Sequence, residues 1–180
     1  MAGSVDGLSP RGRCHTVSAA HERLPPRLRV MRAADLARVV EIEQQAYSYP
    51  WSAGIFRDCL LAGYAGFVLE ERGVILAYAI MSVAAGEAHV LNICVCPEAQ
   101  GEGLGRRMML ALLEHARQAG VGRVLLEVRP SNTIARRLYE SLGFVEIGLR
   151  PRYYQASGGR REDAVVLSIE ADAMPVSKPA

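Results

Sequence analysis

Glycines at 101, 103 and 105 alternate at the seam between an apolar extended stretch and an amphipathic helix, and no other feature constrains the chain as tightly. The segment reads Val95-Cys96-Pro97-Glu98-Ala99-Gln100-Gly101-Glu102-Gly103-Leu104-Gly105-Arg106. Glycine permits a tight turn and removes the Cβ, so main-chain amides can approach a ligand closely. The first turn of a helix offers four unpaired N–H groups and a partial positive charge, which suits a diphosphate. Arg106 and Arg107 add positive charge beside it. Two other nucleotide loops fail on spelling. A Walker A loop requires Gly-Lys followed by Ser or Thr, a string absent here. A G-x-G-x-x-G counted from Gly101 meets Arg106 where its third glycine belongs. What remains is a plain capping turn or a phosphate cradle.

Around this seam the chain alternates between the two periodicities. Leu28 to Met31 reads as a strand, Asp35 to Tyr47 as a helix with Leu36, Val39, Val40 and Ile42 at helical intervals, and Pro50 as its break. Ser52 has the chemistry to cap a second short helix through Leu61. Gly66 to Glu71 and Val74 to Val83 form a hairpin turning at Arg72-Gly73, and Ala88 to Cys96 is a further strand. A helix spans Leu104 to Ala119, with Leu104, Met108, Ala111, Leu112 and His115 on one face and Gly120 as its stop. Arg123 to Arg129 is a strand, Asn132 to Leu142 a helix ended by Gly143, and Phe144 to Leu149 and Ala164 to Ile169 are strands. The fold class is α+β, with one sheet of mixed direction.

At 180 residues the chain holds one domain, expected over 27–170, between a disordered leader at 1–26 and a flexible tail at 171–180. Net charge is +2, too small for a general nucleic-acid or membrane binder. No apolar run approaches the ~20 residues needed to cross a bilayer, and no secretory signal follows the basic N-terminus. Cys14, Cys59, Cys94 and Cys96 form no C-x-x-C pair, and His15, His21, His89 and His115 lack zinc-ligand spacing, so no metal is expected. Reduced thiols fit a cytoplasmic protein.

Gln100-Gly101-Glu102-Gly103-Leu104-Gly105 resembles the Q/R-x-x-G-x-G/A signature of the GCN5-related N-acetyltransferases, the GNAT superfamily. Further stretches resemble its RimI-type subfamily, which acetylates the N-terminal alanine of a small-subunit ribosomal protein. They are Ile42 to Ser52 with its Tyr-Pro-Trp-Ser ending, Leu91-Asn92-Ile93, Leu126-Glu127-Val128-Arg129, Ser131-Asn132 leading to Leu138-Tyr139-Glu140-Ser141-Leu142-Gly143-Phe144, Arg152-Tyr153-Tyr154 and Arg161 to Ala164. The likeness covers residues 28 to 170. It implies a mostly antiparallel six- to seven-stranded sheet with a central, splayed parallel pair and flanking helices. It also implies acetyl-CoA as cosubstrate, its pyrophosphate on Gly101, Glu102, Gly103, Leu104, Gly105 and Arg106 and its pantetheine arm along Ile93, Cys94 and Val95. Family members often carry a basic residue where this chain has Gly101, so one side-chain phosphate contact is absent.

The chemistry asks for few groups. A free α-amine with a pKa of ~7.7–8 is partly neutral near pH 7, a general base aids attack, and an acid aids departure of the thiolate. Glu127 stands in an otherwise apolar and basic strand and by alternation shares a face with Leu125 and Arg129. The resemblance makes it the base, acting directly or through water; a surface ion pair with Arg129 is the plainer alternative. Tyr139, two turns from Asn132 on its helix, is by resemblance the acid, or else an aromatic packed on the sheet. Asn132 is a helix cap and, by resemblance, a coenzyme contact. Tyr49, Trp51, Tyr153 and Tyr154 are candidates for lining a peptide groove, and Glu43, Glu162 and Asp163 for attracting a basic peptide. The implied substrate is a ribosomal-protein N-terminal peptide, with no nucleic-acid or membrane partner and an oligomeric state open between monomer and weak dimer. Other N-termini, a lysine, a small amine, or a non-catalytic acyl-CoA-binding role are the alternatives; the last is disfavoured by the presence of both Glu127 and Tyr139.

Overall fold

The computed structural model describes residues 25–175, so most of the leader read at 1–26 and the end of the tail read at 171–180 lie outside the described residues. A seven-stranded sheet carries four helices. Strand β1 (Arg27–Val30) leads through a 3-10 turn at Ala33–Asp35 into α1 (Leu36–Ala46) and α2 (Ala53–Leu61). Strands β2 (Ala65–Glu71), β3 (Val74–Ala84) and β4 (Glu87–Val95) follow as a meander, then α3 (Leu104–Gln118), β5 (Arg123–Val128), α4 (Thr133–Ser141), β6 (Val145–Gln155) and β7 (Arg161–Glu170). The spatial order is β1-β2-β3-β4-β5-β7-β6, antiparallel at every pair except β4–β5. Among the described residues no helix is long and apolar enough to cross a membrane.

Local signals account for most of these boundaries. The Ser52 hydroxyl accepts a hydrogen bond from the Ile55 amide, capping α2, and the Asn132 carbonyl oxygen does the same for Ala135 in α4. Both turns of the meander, Arg72-Gly73 and Ala85-Gly86, have positive φ at their two central residues, the twist that two-residue hairpins require. Adjacent residues of β2 show how the layers stack. Gly66 faces α2, where a Cβ would stand 3.1 Å from Leu60, while the Phe67 ring meets His115 of α3 edge-on at 5.2 Å. Helices α2 and α3 therefore cover opposite faces of the sheet.

Three elements depart from the sequence reading. The buried stripe of α3 comprises Leu104, Met108, Met109, Leu112, Leu113 and Ala116, wider than the expected face, with Ala111 and His115 at its margin. Strand β6 continues six residues past Leu149. Pro151 hides this extension, yet β6 is an edge strand where a missing N–H is tolerated. Arg152 there adopts φ 54°, and the register shifts between Arg150 and Tyr154. After β7, Ala171–Ala173 makes a 3-10 turn and Met174 is buried, so the packed chain runs past the boundary read at 170.

The parallel pair is what positions the site. Strand β4 follows β5 only from Glu87↔Arg123 to Val90↔Leu126. On its other side the register with β3 jumps from Met81↔Val90 to Ile80↔Asn92, leaving Leu91 as one extra residue. Such a bulge bends its strand. Beyond it, β4 runs on to Val95 without β5, and the sheet opens.

Candidate active site

The opening leads into a cleft of about 560 Å³ lined by Ile93, Cys94 and Val95 of β4, the glycine loop, and Asn132, Leu138 and Tyr139 of the α4 segment. The glycine loop is shaped to receive something. Gly101 and Gly103 have φ of 83° and 80°, and a Cβ at either would project into open space rather than into protein. Among the described residues, the amides of residues 101–106 reach no acceptor; the first bonded one is Arg107, to the Gly103 carbonyl at 3.1 Å. A row of unpaired amides at a helix start fits a diphosphate. The residues present thus suit the coenzyme that the sequence implies. Glu102 is exposed and outside the cleft lining, so only its backbone faces that role. Arg106 lines the cleft while donating to Ser141 at 2.8 Å. On the free edge of β4 the Ile93 carbonyl accepts from the Tyr47 hydroxyl at 3.1 Å, and the Val95 carbonyl from the Gln100 side-chain Nε2 at 3.2 Å.

A second cavity, a groove of about 170 Å³, lies on the far side of Tyr139 and contains Glu127, Tyr49, Trp51, Tyr154 and Glu43. Tyr47, Ile93, Asn132 and Tyr139 line both cavities, so groove and cleft meet at one wall. A third cavity, of about 540 Å³ beside β1 and β2, is as roomy as the cleft but its lining holds no carboxylate. Chemistry, not volume, selects the site.

The Glu127 side chain is 7% exposed and pairs with His89 rather than Arg129. His89 Nε2 is 2.5 Å from Oε2, and Arg150 Nη2 lies 3.0 Å from Oε1 in an orientation that makes no hydrogen bond. The Arg129 ion pair considered from the sequence does not form: Arg129 is bound to Glu162 at 3.1 Å and lies over the Tyr154 ring. Tyr139 is buried, and burial, reinforced by Cys94, raises its phenol above the ordinary range, which keeps its proton in place at neutral pH. Burial foremost, and then the Glu43 charge, push the Cys94 thiol up to about 12, so it is no thiolate nucleophile.

Other candidates fall differently. Tyr153 is 44% exposed, outside the groove lining, with its ring edge-on to Tyr154. The three acids weighed for attracting a basic peptide are all engaged internally. Glu43 is 2% exposed and accepts from the Trp51 amide at 2.9 Å, from Tyr78 and from Asn92. Glu162 accepts from Arg129 and the Ser131 amide, and Asp163 from the Arg152 amide. Sequence reasoning missed Tyr47, His89 and Arg150. An isolated tyrosine at a helix end and a histidine in a strand carry no spacing signal, and Arg150 follows Leu149, where the apolar pattern of β6 ends. Among the described residues no group of three His, Cys, Asp or Glu stands close enough to hold a metal.

The Acetyltransferase (GNAT) family matches residues 36–144, which span the glycine loop, Glu127 and Tyr139. The chain belongs to the GNAT acetyltransferase family. Among its GNAT relatives, the ribosomal protein bS18-alanine N-acetyltransferase of Escherichia coli K12 is 40% identical over 139 residues, 77% of this chain and 93% of that one. A putative enzyme of the same name from Bacillus subtilis 168 is 33% identical over 142 residues, 78% and 92% of the two chains. The crystal structure of the Escherichia coli ribosomal-protein-S18-alanine N-acetyltransferase superposes with a TM-score of 0.76 at 38% identity, covering 81% of this chain and 93% of the other. A putative acetyltransferase from Salmonella typhimurium, solved with its cofactor acetyl-CoA, superposes with a TM-score of 0.69 at 25% identity, over 86% and 98%.

Proposed function

We propose that this GNAT enzyme moves the acetyl group of acetyl-CoA onto the α-amine of a protein N-terminus, and that its acceptor is the N-terminal alanine of a small-subunit ribosomal protein of the bS18 type. The observation that carries this reading is the shared wall of the two cavities, with a carboxylate on the acceptor side and a buried phenol in the wall itself. The 40% identity to the Escherichia coli enzyme over nearly its whole length supports the acceptor. So does the small volume, about 170 Å³, of a groove walled by Tyr49, Trp51 and Tyr154, which favours a small first residue. A ribosomal acceptor makes the cytoplasm the place of action.

Acetyl-CoA supplies the activated thioester; the protein supplies position and proton transfer. The amides of 101–106 hold the pyrophosphate, and the open edge of β4 at Ile93, Cys94 and Val95 receives the pantetheine arm. The α-amine enters the groove, and Glu127, with Oε1 buried and without a hydrogen-bond donor, takes its proton, directly or through one water. Tyr139, protonated throughout the physiological range, gives its proton to the departing sulfur. Asn132 caps α4 and thereby fixes Tyr139 two turns along.

The test incubates the enzyme with labelled acetyl-CoA and a bS18-type N-terminal peptide beside an N-blocked copy that retains its lysines. Label on the free peptide alone is expected. Equal label on the blocked copy would move the acceptor to lysine, and none on either would remove a peptide acceptor of this type. Glu127→Gln is expected to lower turnover by about 10²–10⁴ while leaving acetyl-CoA binding within about twofold.

A further inference from the structure

We infer that His89 is a positioning residue for Glu127: its ring N–H holds Oε2 and so fixes the orientation of the carboxylate in the wall of the acceptor groove. The inference rests on the reading of Glu127 as the base. A glutamate has three rotatable bonds, so a strand position alone does not fix where its oxygens point. Here they are inequivalent. Oε2 meets His89 Nε2 at 2.5 Å, whereas Oε1 makes no hydrogen bond. An ionised carboxylate only accepts, so the ring nitrogen between them is the donor, and Nδ1 is left toward the solvent that reaches this partly exposed side chain. An N–H bond to a charged oxygen is among the strong ones and fixes direction as well as distance.

The contact is built by the sheet rather than by chance surface proximity. In the parallel register His89 sits beside Leu125, and Glu127 is the next residue of β5 on the same face. One residue further along β4 the pairing stops and the sheet opens. His89 is thus a last anchor before the splay. Its surroundings leave it few competing partners. Across β3 it meets Ser82, which is uncharged. Glu87, two residues back, is occupied by Arg123. Beyond Glu127, from β6, stands Arg150, half-exposed and close to Oε1 without bonding it. The two groups flanking the carboxylate hold different oxygens: His89 bonds Oε2, and Arg150 stands 3.0 Å from Oε1 as its ion-pair partner.

The test measures steady-state kinetics with a free-amine peptide for His89→Leu, His89→Gln and His89→Asn, each alone and combined with Glu127→Gln. Leucine removes the donor at similar size, glutamine returns an N–H at similar reach, and asparagine is polar but too short. His89→Leu and His89→Asn are expected to lower kcat by roughly tenfold to a hundredfold with KM for acetyl-CoA unchanged, and His89→Gln to recover most of the loss. In the Glu127→Gln background the His89 changes are expected to cost nothing further. An equal loss in that background, or full activity in His89→Asn while Glu127→Gln is impaired, overturns the inference and leaves the base reading intact. Unimpaired turnover in Glu127→Gln overturns both.

Discussion

At the scale of single residues, the site works by keeping protons where they are useful. Tyr139 is buried against the sheet, and desolvation, with the nearby Cys94, raises its phenol above the usual value near ~10. A group whose pKa is raised stays protonated to higher pH, so the phenol keeps its proton across the neutral range. Turnover should therefore show no alkaline decline from loss of this proton up to about pH 10, and Tyr139→Phe should lower kcat at every pH without moving the acid limb. A pH–rate profile of the two proteins checks this; a Tyr139→Phe variant with wild-type kcat would remove the phenol from the reaction. Cys94, in the same cleft, has its thiol held protonated by burial and by Glu43. A thiol held protonated in this way is a poor nucleophile, which disfavours an acylated cysteine as an intermediate.

At the scale of elements, the approach to α4 is stabilised from an unexpected quarter. Glu162 of β7 accepts from Arg129 and from the Ser131 amide, and so ties down the loop that delivers Asn132 and Tyr139. Hydrogen bonding from Ser131 foremost, and then from Arg129, holds its carboxyl below the ordinary range. A carboxyl with a lowered folded-state pKa contributes fully above its unfolded value of about 4.3, and the contribution is lost as pH falls through the lower folded one. Glu162→Gln should cost about 1 kcal/mol near pH 7, given its partial exposure. The difference from wild type should vanish in the acid, measured by urea unfolding at pH 7 and pH 3; equal costs at both would place the effect elsewhere. Elements of this kind were readable to different depths. The Ser52 and Asn132 caps, the Arg72-Gly73 turn and the glycine loop are local chemistry and stand where the sequence puts them. The remainder of β6 did not stand out, because Pro151 and the polar run around it imitate a loop, and only the strand's place at the sheet edge makes it admissible. Nor was the pairing of His89 with Glu127 visible, since it depends on a parallel register that neither strand encodes alone. Glu43 misled for the opposite reason: a charged helix residue is ordinarily solvated, and here three donors from other parts of the chain hold it inside.

For the molecule as a whole, one bulge has the widest reach. The extra residue at Leu91 bends β4 away from β5 and opens the cleft. The released end of β4 then leads, through a 3-10 turn at Pro97–Ala99 and the glycine loop, into a helix start whose first amides have no partner. Groove and cleft adjoin because both borrow Tyr47, Ile93, Asn132 and Tyr139 for their common wall. The proposed activity requires that this gap take the coenzyme. Calorimetric titration of the purified protein with acetyl-CoA tests that most directly, beside Gly103→Val, in which a branched side chain is forced onto a backbone at φ 80°. One equivalent bound by the wild type, and affinity at least tenfold weaker in a variant that still melts cooperatively, is the predicted result. A wild-type protein that is folded and releases no binding heat across a range of temperatures would contradict it.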